Sequence, residues 1–240
     1  MQKNNPRLLL IETSSPVCSV AYAQGNMLQA VMEDTEGLKH AAKAPLFAQE
    51  LIQQYGAPEA VVVSAGPGSY TGLRIGVSLA KGICYGLGIP LISVDTLQAL
   101  TDGLLNEHSF SPETLLVPLL DARRMEVYYA VFDNNGHRIS PSAAMIVTNH
   151  SFSAELSALK QLVFFGSGAQ KSVDVLNNAN VKKIDFEMLS ASFLLKTALQ
   201  KYHDRQFEDV AYFEPNYIKD FHFTPPKKNV LERIRQQKRN

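Results

Sequence analysis

The 240-residue sequence has no tryptophan, only two cysteines and no excess of either charge. Cys18 and Cys84 lie far apart and have no neighbouring cysteine or histidine in a metal-binding spacing, so neither a disulfide framework nor a zinc site is predicted. The 23 basic and 23 acidic side chains cancel, so no overall field draws the chain onto nucleic acid or an anionic membrane. Any RNA contact is expected to be local or indirect.

Long hydrophobic runs are also missing. The apolar run from Leu8 to Ile11 is halted by Glu12, and it is too short for a secretory signal or a membrane span. A composition with 45% hydrophobic and 19% charged residues is typical of a globular protein with a proper core. We therefore predict a cytoplasmic protein without a membrane contact, long enough for two small domains.

The first half of the chain alternates between the strand pattern and the helix pattern. Three apolar runs separated by turn residues predict an antiparallel meander over residues 8–12, 17–23 and 27–32. The predicted elements after it are a helix over 38–55, a strand over 60–64, a helix over 72–87, a strand over 90–94 and a helix over 96–105. This alternation implies parallel strands joined by right-handed crossovers.

The second half opens on the same plan, which indicates an internal duplication. Its predicted elements are strands over 115–120, 127–132 and 139–147, a helix over 152–159, a strand over 162–165 and a helix opened by the glycines at 166 and 168. A duplicated β-β-β-α-β-α unit is how the actin, hexokinase and Hsp70 superfamily is built. We predict an α/β protein with two lobes of the actin-like (ASKHA, ribonuclease H-like) fold, the second degenerate: residues 1–108, residues 109–224, and a basic tail at 225–240.

A glycine-rich segment lies where a predicted strand passes into a helix. Gly66 and Gly68 let the backbone turn sharply and approach a ligand, while Ser69 or Thr71 can cap a helix whose exposed N–H groups attract anions. The segment matches neither a Walker loop nor a dinucleotide fingerprint. It predicts either a phosphate or carboxylate site or a tight strand-to-helix turn that binds nothing.

A stripe of small residues follows within the helix. Gly72, Gly76, Ala80 and Cys84 recur every four residues, so they share one face and let another element approach closely. The stripe predicts either a contact with another subunit or packing on the sheet of its own lobe.

Few residues could carry catalysis. Glu12 follows the first strand, where this superfamily places an acid that addresses the metal and phosphates of a nucleotide. The residues after it lack the usual glycine, and Asp121 is the only equivalent acid in the second lobe, which favours a vestigial or shared site. No two of the six histidines form an HxxxH or HExxH pair, and there is no GxSxG elbow. We predict no catalytic residue and no metal site.

Four ordered motifs resemble one known family. They are the stretches Ile11–Ser15, Gly66–Gly76, Asp121–Tyr128 and Glu214–Ile218, and the match extends over about residues 7–220. On these residues the chain resembles the TsaB (YeaZ) family, formerly labelled glycoprotease-like. Two departures are Glu12, where many relatives have aspartate, and Arg123-Arg124-Met125, where a glycine commonly follows the arginine.

The resemblance implies a non-catalytic subunit of the machinery that transfers a threonylcarbamoyl group to adenosine 37 of tRNA. It implies pairing with the catalytic protein TsaD and the ATPase TsaE, a homodimer when the chain is alone, and tRNA reached only through the complex. The pairing surface would map onto the first-lobe helices, at Gly72, Gly76, Ala80 and the helix that follows His40.

The resemblance also implies that no cofactor is held tightly, with ATP or ADP placed at the interface with TsaD. The residues expected near such a nucleotide are Glu12, Gly66, Gly68, Ser69, Thr71 and Arg123. Two enzyme classes are alternatives: a small-molecule kinase of the actin superfamily and an M22-type metallopeptidase. The missing glycine after Glu12 argues against the kinase, and the lack of paired histidines argues against the peptidase.

Overall fold

The first sheet contains the predicted meander and the two parallel strands that follow it. In the computed structural model, which describes residues 5–36, 39–158 and 160–218, its strands are β1 (Arg7–Glu12), β2 (Cys18–Gln24), β3 (Met27–Asp34), β4 (Ala60–Ser64) and β5 (Leu91–Val94). Their order is β3-β2-β1-β4-β5, with β1, β4 and β5 parallel. The predicted basic tail at residues 225–240 lies outside the described residues.

Three helices belong to this half of the chain: α1 (His40–Tyr55), α2 (Tyr70–Leu87) and α3 (Thr96–Glu107). Helices α1 and α2 cover one face of the first sheet, where residues such as Leu51 and Val77 pack against Leu9 and Val63. The predicted order is therefore confirmed. Helix α2 starts two residues before its predicted start, because Ser69 caps it and its hydroxyl accepts a hydrogen bond from the Gly72 N–H at 3.2 Å.

The second sheet repeats the order of the first. Its strands are β6 (Thr114–Asp121), β7 (Glu126–Tyr129), β8 (Ala143–Ile146), β9 (Gln161–Phe165) and β10 (Val181–Lys183), in the order β10-β9-β6-β7-β8. Helices α4 (Ser153–Ser157) and α5 (Ala169–Leu176) accompany it. The predicted duplication with a degenerate second copy is confirmed, since these strands and helices are mostly shorter than their counterparts.

The β7–β8 connection explains why two strands of the second lobe are shorter than predicted. The chain leaves the sheet after Tyr129 and turns at Gly136, where an added side chain would lie 2.7 Å from Leu105 of α3. Gln98 of α3 donates a hydrogen bond to the Gly136 carbonyl at 3.3 Å. Packing against α3 thus interrupts the regular pairing, and the chain returns to β6 at Phe132, which forms an isolated bridge with Leu116.

A layer of helices lies between the two sheets. Helix α3 packs Leu97 and Leu100 against the second sheet and Ala99 against the first. After the second sheet, a 3₁₀ helix (Ala191–Leu194) and α6 (Leu195–His203) pack on the inner face of the first sheet. The predicted boundary at residue 108 assigns residues 191–203 to the second lobe. In the structure these residues contact the first lobe. Within the described ranges, no helix is both long and apolar enough to cross a membrane.

Polar contacts along α3 connect the lobes. The Asp95 carboxylate caps α3, accepts a 2.8 Å hydrogen bond from the Arg138 guanidinium and accepts another from Ser142 at 2.7 Å. Two turns further on, the buried Asp102 accepts hydrogen bonds from Thr197 at 2.6 Å and Lys196 at 3.2 Å, both on α6. The Asp95 contacts therefore join α3 to the second lobe, and the Asp102 contacts hold α6 against α3.

We expect Arg138→Met to lower the free energy of unfolding by about 1–3 kcal/mol, since Asp95 loses a charged hydrogen bond in a partly buried position. Urea unfolding followed by circular dichroism measures this change. Lys39→Met is the control, because the one ion pair that Lys39 forms among the described residues is with the exposed Glu36, and surface pairs contribute little. Equal midpoints for Arg138→Met and the wild type would contradict the assigned role of the Asp95 contact.

Candidate functional site

The glycine loop between β4 and α2 is bonded to three other segments. The Ser69 N–H donates to the Ser14 carbonyl at 2.7 Å, and the Thr96 N–H donates to the Gly66 carbonyl at 2.9 Å. The Asn216 N–H donates to the Ala65 carbonyl at 2.7 Å. The turn after β1, the start of α3 and the C-terminal segment therefore all converge on this loop.

Glycines in the loop and in α2 are required because the protein's own chain lies against them. A side-chain carbon at Gly66 would lie 2.8 Å from the Asn216 carbonyl oxygen, and one at Gly68 would lie 2.6 Å from the Ser14 carbonyl oxygen. At Gly72 the distance to the Thr13 carbonyl oxygen would be 1.9 Å. A tight turn is thus enough to account for these glycines, and a phosphate or carboxylate at this loop stays a prediction.

Glu12 is fully buried beneath this turn. Its Oε1 accepts hydrogen bonds from the N–H and hydroxyl of Ser14 at 2.5 and 2.6 Å, while Oε2 is buried without a partner of normal geometry among the described residues. Burial raises the pKa of Glu12, and the hydrogen bonds from Ser14 only partly offset it. The carboxyl is therefore shielded from solvent in this structure, and its place beside a nucleotide stays a prediction. Ser69 and Thr71 remain exposed at the start of α2.

The stripe of small residues faces inward. Gly76 lies against the Thr13 hydroxyl, where an added side-chain carbon would be 2.3 Å from Oγ1, and Ala80 and Cys84 are buried in the core on β1 and β4. His40 is also largely buried, with Nε2 2.8 Å from the Ser15 carbonyl oxygen. These residues cannot form an exposed contact surface, so of the two predictions for the stripe the structure supports packing on its own sheet.

A groove between α1 and α2 is the exposed feature of this face. It has a volume of about 610 Å³ and is lined by Ala41, Pro45, Tyr70, Thr71, Arg74, Ile75, Ser78 and Leu79. Arg74 donates a hydrogen bond to the Tyr70 hydroxyl at 3.2 Å and forms no ion pair among the described residues. A groove that combines apolar side chains with an arginine is closer in composition to a protein–protein interface than to a site for a small anion.

An exposed arginine pair lies at the equivalent position of the second lobe. Arg123 and Arg124 follow β6 with φ angles of 71° and 52°. Lys171 holds their loop, because its ammonium donates to the Asp121 carboxylate at 2.8 Å and to the carbonyls of Arg124 and Glu126 at 2.9 and 2.7 Å. Despite some burial, the hydrogen bonds that Asp121 accepts from Lys171 and from the Arg123 N–H keep its pKa below the usual range. The sequence carried no local signal for Lys171, which lies 50 residues from Asp121.

Two five-stranded sheets of equal strand order, with helix α3 packed between them, define the two-lobed actin-like fold. Solved structures agree. "Crystal structure of an uncharacterized protein with similarity to peptidase YEAZ from Pseudomonas aeruginosa" covers 89% of this chain and 100% of its own, with a TM-score of 0.77 at 22% identity. "YeaZ from Pseudomonas aeruginosa" covers 88% and 99%, with a TM-score of 0.73 at 21% identity.

Sequence comparison identifies the family. The family described as "TsaD: tRNA N6-adenosine threonylcarbamoyltransferase" matches residues 36–212. A curated relative, the tRNA threonylcarbamoyladenosine biosynthesis protein TsaB of Escherichia coli K12, is 27% identical over 223 residues, which are 89% of this chain and 95% of the relative. TsaB of Bacillus subtilis 168 is 33% identical over 129 residues, 52% and 54% of the two chains. The chain belongs to this family, on its TsaB (YeaZ) branch.

Two glycines of α2 test whether the stripe is a packing feature. We expect Gly72→Ala to destabilise the protein by at least about 3 kcal/mol, because the new methyl group would meet the backbone of Thr13. Gly82→Ala is the matched control on the same helix, since its methyl group meets nothing within 4 Å, and it should stabilise by up to about 1 kcal/mol. Chemical unfolding of both variants measures the difference, and similar effects would contradict inward packing of Gly72.

Glu12→Gln tests whether the buried carboxyl is held uncharged. The folded-state pKa is above the usual 4.5, so as pH rises past 4.5 the unfolded chain loses its proton first and the free energy of unfolding falls. Glutamine cannot ionise, and we expect the variant to gain stability over the wild type between about pH 4 and about pH 7. Urea unfolding across this range, with the exposed Glu113→Gln as control, makes the measurement. A constant difference between Glu12→Gln and the wild type would refute a raised pKa.

Proposed function

We propose that this chain is a non-catalytic subunit that activates a TsaD-type partner in forming threonylcarbamoyladenosine at position 37 of tRNA. Membership of the family supports the pathway, since the curated relatives are named tRNA threonylcarbamoyladenosine biosynthesis proteins. The proposal includes TsaE as a further component, tRNA reached only through the complex and a cytoplasmic location.

The proposal that the chain is non-catalytic rests on the first-lobe site, where the turn after β1 and the glycine loop cover Glu12. The carboxyl that would address a metal ion, on Glu12, is fully buried, and the nearby glycines are packed against the turn after β1. Phosphoryl transfer needs groups that reach the phosphates and their metal ion. Nothing in the described site favours a kinase or a metallopeptidase over an activating subunit.

The groove between α1 and α2 is the surface we assign to pairing. Ile75 and Leu79 supply apolar area, and Tyr70 and Arg74 are residue types that often dominate interface energetics. A homodimer formed in the absence of the partner would use this same face. A nucleotide at the interface would lie near Arg123, whose exposed side chain has no ion pair among the described residues.

Reconstitution tests the proposal. TsaD and TsaE from the same organism are assayed for tRNA modification with no added chain, with the wild type, and with Ser78→Arg. Ser78 is exposed and lines the groove, so a bulky cation there should cut activity and partner affinity by at least about tenfold while the chain stays folded. Gln53→Arg adds the same charge at an exposed position of α1 that does not line the groove, and it should behave as the wild type.

The outcomes separate the parts of the proposal. Modification at the same rate without this chain would refute an activating role. Full activity of Ser78→Arg would leave the role in place and refute the groove as the pairing surface. Substrate-dependent ATP turnover by the isolated chain would instead establish the kinase alternative.

A further inference from the structure

The loop between β6 and β7 keeps two consecutive arginines in a strained backbone conformation. The φ angles of Arg123 and Arg124 are 71° and 52°, in the left-handed region that residues other than glycine rarely adopt. Residues held in such conformations persist only where surrounding contacts impose them, and they are concentrated at functional sites. The loop therefore needs an anchor, and it is a candidate binding site.

Lys171 is the anchor of this loop. It lies in the first turn of α5, where a cation interacts unfavourably with the positive end of the helix dipole. Its side chain is only 20% exposed, and its ammonium donates to the Asp121 carboxylate and to the carbonyls of Arg124 and Glu126. An ammonium has three donors, so the loop accepts all of them. The contacts of Lys171 thus serve the loop and not the helix.

Hydrogen bonds within the loop complete the turn. The Glu126 N–H donates to the Arg123 carbonyl at 3.1 Å, and the Ala122 N–H donates to the Glu126 carbonyl at 3.0 Å. The Asp121 carboxylate also accepts the Arg123 N–H at 2.7 Å. Together with Lys171, these bonds fix the backbone of both arginines before any ligand arrives.

The two arginine side chains are left available for a ligand. Both are exposed, and neither guanidinium forms an ion pair or a hydrogen bond among the described residues. The loop also contains two carboxylates, but Asp121 is bound to Lys171 and Glu126 forms no ion pair with either arginine in the described part of the chain. With Lys171 included, the three cations leave one positive charge in excess.

Two guanidiniums on a fixed loop match the chemistry of a phosphate group. A guanidinium stays charged at all working pH values and presents its N–H donors in a planar fork that binds two phosphate oxygens at once. A phosphate has more oxygens and more charge than a carboxylate, so it can accept from both arginines. Nucleotides and the RNA backbone both offer such a group.

We propose that Lys171 is the positioning residue of a two-arginine phosphate site, in which Arg124 binds the phosphate together with Arg123. The phosphate belongs to the nucleotide at the interface or to the tRNA backbone. The inference rests on the proposed function, which places a nucleotide near Arg123. Because Lys171 fixes the loop in advance, binding costs less conformational entropy.

Binding is measured on the full chain in complex with the purified TsaD-type partner, with ATP by calorimetry and with tRNA by fluorescence anisotropy. Binding by the partner alone is subtracted in both arms. Arg124→Met removes one guanidinium, and we expect the affinity in at least one arm to fall about tenfold. The arm that responds identifies the source of the phosphate. Lys182→Met removes an exposed cation from the opposite edge strand of the second sheet and should bind as the wild type.

Two variants separate positioning from charge. Lys171→Met should lower the affinity about as much as Arg124→Met, and Lys171→Arg, which can still donate to the loop, should restore it. Asp121→Ala removes the carboxylate that Lys171 and the Arg123 N–H share. By charge alone this loss of an acid would strengthen phosphate binding, whereas a loop without its anchor binds less tightly. We expect weaker binding.

Arg124→Gly separates binding from folding. Glycine adopts a φ of 52° without strain, so the urea midpoint should be at least that of the wild type, while phosphate affinity should fall as in Arg124→Met. A stability defect would therefore not account for the lost affinity.

The outcomes distinguish this inference from the proposed function. Wild-type affinity of Arg124→Met in both arms would overturn the two-arginine site. Unchanged binding in Lys171→Met, or unchanged or tighter binding in Asp121→Ala, would overturn the positioning role of Lys171. None of these results affects the activating role of the chain, which reconstitution with and without it decides.

Discussion

The fold depends on one close approach, between the turn after β1 and the first two turns of α2. The Thr13 hydroxyl donates to the Gly72 carbonyl at 2.8 Å, and the Ser69 N–H donates to the Ser14 carbonyl at 2.7 Å. Only glycine permits backbone contact at this distance. The same contact lays α2 directly on the sheet and seals the Glu12 carboxyl beneath it.

That approach has opposite effects on the two faces of α2. On the inner face the small residues Gly72 and Gly76 receive Thr13. On the outer face it leaves Arg74, Ile75 and Ser78 beside α1, on a groove at whose edge the ring of Tyr217 lies against that of Tyr70. The small residues of α2 thus serve internal packing, whereas its larger side chains line the open groove to which we assign pairing.

Much of the fold was predictable because its signals are local. The meander, the crossover helices and the repeat of the whole unit follow from alternating and helical periodicities over windows of a few residues. The exceptions are contacts between distant segments. Helix α6 has only Ala198 fully buried, so its own pattern is weak, and its position between the sheets comes from strands far away in sequence. The shortened β7 and β8 likewise reflect packing of Gly136 on α3.

The sequence by itself determined the order of the elements, the duplication and the family, because periodicity and ordered motifs are properties of the chain alone. It also located the loop glycines, Arg123 and the acidic residue Glu12. Only the tertiary structure decided what these residues do: that Gly72 and Gly76 receive Thr13, that Glu12 is buried and that Lys171 holds the arginine loop. It also decided that Lys81 binds the carbonyls of Ala211 and Phe213 near the end of the described chain. The physical reason is that a residue pattern specifies which faces can be close, whereas burial and hydrogen-bond partners depend on which distant segment arrives there.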